Sequence, residues 1–345
     1  MWPAAPIFFC QLFRLQHYRT NAGQNMTPDH QPPQDNPPAS LSAYIVPSYV
    51  PTRPNKLLTV LKWAKIIVFS LVAVALTVGL WGNARWAKDT DARVRSLEAT
   101  TQPIQARPQR YNDAELTNLP PVVRRYFAKV LNPNQPMVRR LYLEQTGSFN
   151  LSFTGEQWEP FTARQRVSVN RPGFVWDASI SMSPGITVRV VDAYVAGVGS
   201  LQPSVFGLFD LRGSQGTVDM ARGELIRFFA EAVWYPTALL PSQGVKWSPV
   251  NEQTAQATLT DRSLSVTLTF TFNAEGLVER IGSLERSALV DGVMVPMPWE
   301  VRLSNYQWQS GMLVPQNGEV AWLPATGRVP YWRGKVEKFD YELPR

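Results

Sequence analysis

The chain of 345 residues has a net charge of +7, yet residues 119–345 hold 22 basic against 20 acidic groups, so the excess is not gathered on one domain. Nucleic-acid binding needs a concentrated basic face, and no nucleic-acid partner is expected. The single cysteine, Cys10, and both histidines, His17 and His30, fall in the first 30 residues, which removes Ser-His-Asp and Cys-His nucleophiles and thiolate or imidazole zinc sites from everything that follows.

Residues 1–55 are a Pro-rich tail. Its stretch PDHQPPQDNPPAS lacks the apolar surface to offset ordering entropy, so disorder is expected there, and Met26 is an alternative start. Next comes KLLTVLKWAKIIVFSLVAVALTVGLWGNARW, in which Ile66–Trp81 carries no charge. With the stems of Lys62 and Lys65 this apolar run reaches about 20 residues, the length of one bilayer crossing. Residues 56–82 are therefore expected to form a single transmembrane helix, with Trp63 and Trp81 at the two interfaces. The basic residues on its two sides tie at four each: Arg53, Lys56, Lys62 and Lys65 before it, Arg85, Lys88, Arg93 and Arg95 after it. Lys62 and Lys65 abut the apolar run, which favours a cytoplasmic N-terminus and a C-terminal domain outside the cytoplasm. Residues 83–118 read as a charged linker, helical through ARWAKDTDARVRSLEA and loosened by Pro103 and Pro108.

Residues 119–345 read as a β-rich globular domain. It opens with LPPVVRRYFAKVL, where Val122, Val123, Tyr126, Phe127 and Val130 fall on one helical face and Pro sits in the first turn. The periodicity then changes to two. Leu264–Phe272 (LSVTLTFTF) alternates apolar and hydroxyl residues throughout, and FVWDASISM sets Trp176, Ala178, Ile180 and Met182 opposite Asp177, Ser179 and Ser181. Similar runs at Val138–Phe149, Thr162–Asn170, Ile186–Val195, Ala255–Thr260, Leu277–Ala288, Trp299–Trp308, Gly318–Leu323 and Val329–Tyr341 bring the count to about ten strands. The expected fold is mainly β (α+β): a large curved antiparallel sheet or half-barrel, closed by one buried helix.

That helix lies within Ala221–Trp247. Leu225, Ile226, Phe228, Phe229, Ala230, Ala232, Val233 and Trp234 cover most of its circumference, too apolar for a surface helix. Asp219 is the expected N-cap, Gly223 suggests a close backbone approach, and Pro236 is the expected stop. Glu224, Arg227 and Glu231 fall within about 60° of one another, so Arg227 can reach both carboxylates. Three readings follow. The stripe is a structural charge cluster that makes a buried helix tolerable. Alternatively, Arg227 or Arg222 holds a carboxylate or phosphate head while Trp234 and Tyr235 line an apolar slot. The third is a carboxylate hydrolase using Glu224 and Glu231, which stands about 10 Å apart at the Cα atoms and would have both acids kept ionised by Arg227. Asp177 and Asp192 lack calcium-loop spacing, and the glycines of GVGS and LRGSQG precede no Lys-Ser/Thr pair. No metal and no cofactor are expected.

The strings LPPVVRRY, PFTARQ, RPGFVWDA, ARGELIRFFAEAVWYPTALLP, GM-V-P, GEVAW and YWRG resemble a family of uncharacterised bacterial proteins known as a domain of unknown function, from about Leu119 to Tyr341. The resemblance carries over no catalytic residue. It implies a strand-rich fold similar to the half-barrel of LolA-type carriers, a sheet curved around helices that shields acyl chains. The function expected is that of a membrane-anchored, non-enzymatic domain holding a lipid-like or amphipathic small molecule, or an envelope partner, beside the lipid bilayer. A carboxylate-dependent hydrolase and a purely structural envelope module are the alternatives.

Overall fold

A computed structural model describes residues 56–100, 108–152, 155–183, 185–211, 213–290 and 293–344. The Pro-rich tail, with Cys10, His17, His30 and Met26, lies outside them.

Helix α1 (Lys56–Ala99) is long and apolar enough to cross a membrane. Up to Leu80 it belongs to one compact unit, and from Trp81 onward to another. In the first of these, Leu, Val, Ile and Phe side chains are exposed on every side of it, as lipid contact would require. In the second the helix packs. Trp86 and Leu97 are buried against Val175, Val191 and Ala193, and the Trp86 indole N–H donates to Asp177 Oδ1 at 2.8 Å. Arg93 donates to Ser200 at 3.0 Å, and Arg85 pairs with Asp210. Gly82 is glycine for a steric reason: an added Cβ would come within 2.6 Å of Leu208 Cγ.

The sheet is built from two meanders. The first contains β1 (Arg140–Asn150), β2 (Trp158–Ser168), β3 (Gly173–Ser183), β4 (Ile186–Val195) and β5 (Val198–Val205), with the short β6 (Phe209–Asp210) and β7 (Ser214–Gln215) on β5. After the helical insertion come β8 (Lys246–Asn251), β9 (Thr254–Asp261), β10 (Leu264–Phe272) and β11 (Val278–Ser283). A separate hairpin of β12 (Ser287–Val290) and β13 (Val293–Pro296) precedes β14 (Trp299–Gln309), β15 (Met312–Trp322) and β16 (Val329–Glu342). Every pairing is antiparallel, and the last strand joins the halves by lying between β15 and β1. Among the described residues the result is a curved sheet of 14 strands rather than about ten. The additional strands include β5 and β8, which no alternating run in the sequence marks. Pro203 and Pro249 nonetheless sit in strands, and β8 is the edge where a missing N–H costs nothing. Leu277–Ala288, read as one strand, breaks into β11 and β12 around exposed Leu284 and Glu285.

Helix α2 (Pro121–Val130) buries Val122, Val123, Tyr126, Phe127 and Val130 as its spacing requires. Helix α3 (Val218–Ala230) buries residues on nearly every side and packs in the same core as Trp176, Ala178 and Ile180 of β3. Its N-cap is Thr217, which accepts from the Met220 N–H at 3.1 Å, so Asp219 belongs to the first turn instead. Gly223 faces open space. The close approach comes from the sheet, where a Cβ on Gly199 would lie 2.7 Å from Met220. The α-helix gives way to 3₁₀ turns at Glu231–Trp234 and Pro236–Leu239, before the proline rather than at it. β3 is buried on both faces, with Trp176, Ala178 and Ile180 toward α3 and Val175 toward α1.

Candidate functional site

Strand β4 supplies the first element of the site. Its alternation turns Val188, Val190 and Asp192 to the face occupied by α3, so a carboxylate stands in a row that is otherwise apolar. Glu224 and Arg227, one helical turn apart on α3, meet it there. Together they border a cavity of about 240 Å³. Its walls are Trp176 and Ile180 of β3, Val188 and Val190 of β4, Val320 and Trp322 of β15, and Trp332 of β16. Arg286, just before β12, reaches the same space.

Arg227 does not join the two helix carboxylates as expected. Its Nε donates to Glu231 Oε1 at 2.8 Å, and its Nη1 pairs with Asp192 Oδ2 in place of Glu224. Its guanidinium carbon lies 4.9 Å from the ring centres of both Phe174 and Trp176. Glu231 also accepts from Gln165 Nε2 at 2.6 Å. Burial disfavours the Arg227 cation, but Glu231, Asp192 and Glu224 outweigh that cost and raise its pKa. The guanidinium is thus a locked structural cation.

Glu224 is 4% exposed, and its Oε2 has no hydrogen-bond partner among the described residues. Burial, reinforced by Asp192, holds its carboxyl well above the ordinary 4.5, and the attraction of Arg286 and Arg227 offsets this only in part. Arg227 does lower the pKa of Glu224 as expected, but burial and Asp192 outweigh it, so the net shift is upward. Asp192 Oδ1 likewise accepts from no other donor among the described residues, and a hydrogen bond between the two carboxyls adds to the rise of the Glu224 pKa. Arg286 is half-buried, with its guanidinium carbon 4.7 Å from the centre of Trp299 and 5.8 Å from that of Trp322. Trp299 donates to the Tyr331 hydroxyl at 3.0 Å, and Trp322 stacks on Tyr331 with centres 5.9 Å apart. Among the described residues no carboxylate lies within ion-pair distance of Arg286.

The remaining residues singled out in the sequence lie elsewhere. Arg222 donates to the Ser265 carbonyl at 3.2 Å and approaches Glu285 at 3.5 Å. Trp234 and Tyr235 are buried in the core, where the Trp234 carbonyl accepts from Tyr341 and the Tyr235 hydroxyl donates to the Phe228 carbonyl. None of these three lines the cavity, and Glu231 stands behind Arg227. Asp192 could have been found from strand phase, since it continues the inward row of Val188 and Val190. Arg286 carries no such signal, because what places it is a bend between strands.

Fold and site together define a mainly-β domain, a curved antiparallel sheet holding a buried helix and an aromatic cavity with a charged end. The chain belongs to the Family of unknown function (DUF6920), which it matches over residues 117–341. Among solved structures it is similar to a LolA superfamily protein of Nitrosomonas europaea, at 8% identity and a TM-score of 0.32, over 65% of this chain and 93% of that one. It is also similar to a porin-like protein of Bacteroides uniformis, at 7% identity and a TM-score of 0.22, over 60% and 98% of the two chains. Comparison with curated proteins gives no match.

Proposed function

We propose that this protein is a single-pass, membrane-anchored and non-enzymatic binding domain that holds an amphipathic small molecule, with the domain outside the cytoplasm. The observation that carries this reading is the 240 Å³ cavity, apolar over most of its wall and charged at one end. Small-molecule sites have this construction, many apolar side chains with a few convergent polar groups. The uncharged Ile66–Trp81 segment of α1 supports the anchor, and Lys62 and Lys65 beside it support the orientation.

Native mass spectrometry of the full chain, released from nanodiscs of defined lipid, tests the binding. The expected result is one co-purifying amphiphile of low mass, lost when Val190→Phe narrows the cavity. A spectrum with no adduct, together with no uptake of added alkyl probes, would reject the reading. Phosphatase and fluorescent-protein fusions at the C-terminus test the orientation, with an active phosphatase expected. A silent phosphatase with a fluorescent partner fusion would reverse it.

A carboxylate-dependent hydrolase is the second reading, favoured by one observation: Glu224, its pKa raised by burial, stands beside Asp192, as in acid and base pairs whose environments differ. Against it, Asp192 is committed to Arg227. Ester hydrolysis by the wild type that disappears in Glu224→Gln would establish this alternative.

A further inference from the structure

The two guanidinium groups at the cavity are unequally matched. Arg227 is held by two carboxylates, Asp192 and Glu231. Arg286 has none within ion-pair distance among the described residues, although it lines the same space. The faces of Trp299 and Trp322 hold it in place and leave its N–H groups uncommitted. A cation stacked in this way beside an apolar cavity gains from an anion able to accept two parallel hydrogen bonds.

Glu224 completes the argument. The charged or titratable groups facing it are Asp192 from β4, Arg227 from its own helix and Arg286 from the segment before β12. The Glu224 side chain is nine-tenths and more buried, and its Oε2 accepts no hydrogen bond from the described residues. Burial and the neighbouring Asp192 raise the pKa of this carboxyl, which weakens the repulsion it would exert on an anion held at Arg286. A cationic head would instead meet two guanidinium groups. The rest of the wall is apolar, and 240 Å³ is below the roughly 300 Å³ at which pockets for drug-sized molecules begin. That volume suits one chain rather than two.

Resting on the binding function proposed above, we infer that the ligand is a single-chain amphiphile with an anionic head, a carboxylate or a phosphate monoester, seated on Arg286 with its chain among Trp176, Ile180, Val188 and Val190.

The test uses the full chain in zwitterionic nanodiscs, with tryptophan quenching by ω-bromoundecanoate, ω-bromoundecyl phosphate, ω-bromoundecanol and ω-bromoundecylamine, each corrected for protein-free discs. The wild type is expected to bind the acid or the phosphate more tightly than the alcohol, and the amine least. Whichever anion binds more tightly identifies the head. Arg286→Gln should weaken the anionic probes on the order of 10- to 100-fold, as loss of a charge-assisted contact does, and leave the alcohol unchanged. Arg286→Lys keeps a cation on the same rings and should fall between them, which separates loss of the head contact from loss of the fold. Equal affinity of the anionic probes for wild type and Arg286→Gln, or a preference for the amine, overturns the head-group assignment while leaving the cavity's binding role intact. Quenching no greater than in protein-free discs for all four probes removes that role as well.

Discussion

At Arg227 one guanidinium meets two carboxylates where little water reaches, and losing a member of the group does not cost the same for each. Arg227→Met leaves Asp192 and Glu231 buried without a counter-charge, which should destabilise the domain by on the order of 3–5 kcal/mol. Removing Glu224, Arg227 and Glu231 together would still leave Asp192 alone, so the mild variant must replace all four residues with apolar or amide side chains. Chemical denaturation of the full chain checks the ordering: the fourfold variant should be more stable than Arg227→Met, and a wild-type midpoint for Arg227→Met would mean that the cluster is solvated. Glu224 gives the pH dependence. Its folded pKa is raised above 4.5, so its contribution to stability is complete at acid pH, below the unfolded value. That contribution is lost as the pH rises through the folded value. Glu224→Gln, a permanently uncharged analogue, should flatten the loss of stability toward alkaline pH. An unchanged slope would show that Glu224 ionises freely in the folded protein.

The elements differ in how plainly the sequence announces them. β10 shows in its unbroken alternation, and the buried character of α3 shows because too few polar residues are present to make a surface face. The strand set is less legible where proline interrupts the pattern: β5 carries Pro203 beside the cavity and β8 carries Pro249 at the sheet edge. The site was half legible. Glu224 and Arg227 were visible from helical spacing, whereas Asp192 and Arg286 come from other elements, and periodicity along one segment cannot report a partner across the core. The burial of Val175, on the strand face it shares with Asp177, likewise makes sense only once α1 is known to cover β3. It follows that a fragment of residues 81–345 should melt cooperatively as a mainly β domain. A fragment of residues 119–345 should melt lower, because it uncovers Val175, Val191 and Ala193 and strands Asp177 without Trp86. Covering apolar side chains of this size contributes about 1.5–3 kcal/mol each when complete. Equal melting points for the two fragments would show that the covering helix adds nothing.

Over the whole molecule, the sheet is one object only because its last strand lies between the two meanders, with Arg140 opposite Glu342 at one end of the junction. Deleting residues 329–345 should therefore abolish the cooperative unfolding transition rather than trim it, and circular dichroism with thermal melting checks this; a retained transition would show that the halves hold together without β16. A synthetic β16 peptide should restore the transition by adding itself as a strand to the vacant edges. The same junction sets a timetable for synthesis. Helix α1 and the first five strands leave the ribosome long before β16, so β1 must wait with an unpaired edge while the intervening strands are still being made. Open edges of that kind invite misassembly, and a contact between residues so far apart in sequence closes slowly. Any lesion that keeps this one strand from docking therefore bares two edges at once, those of β1 and β15.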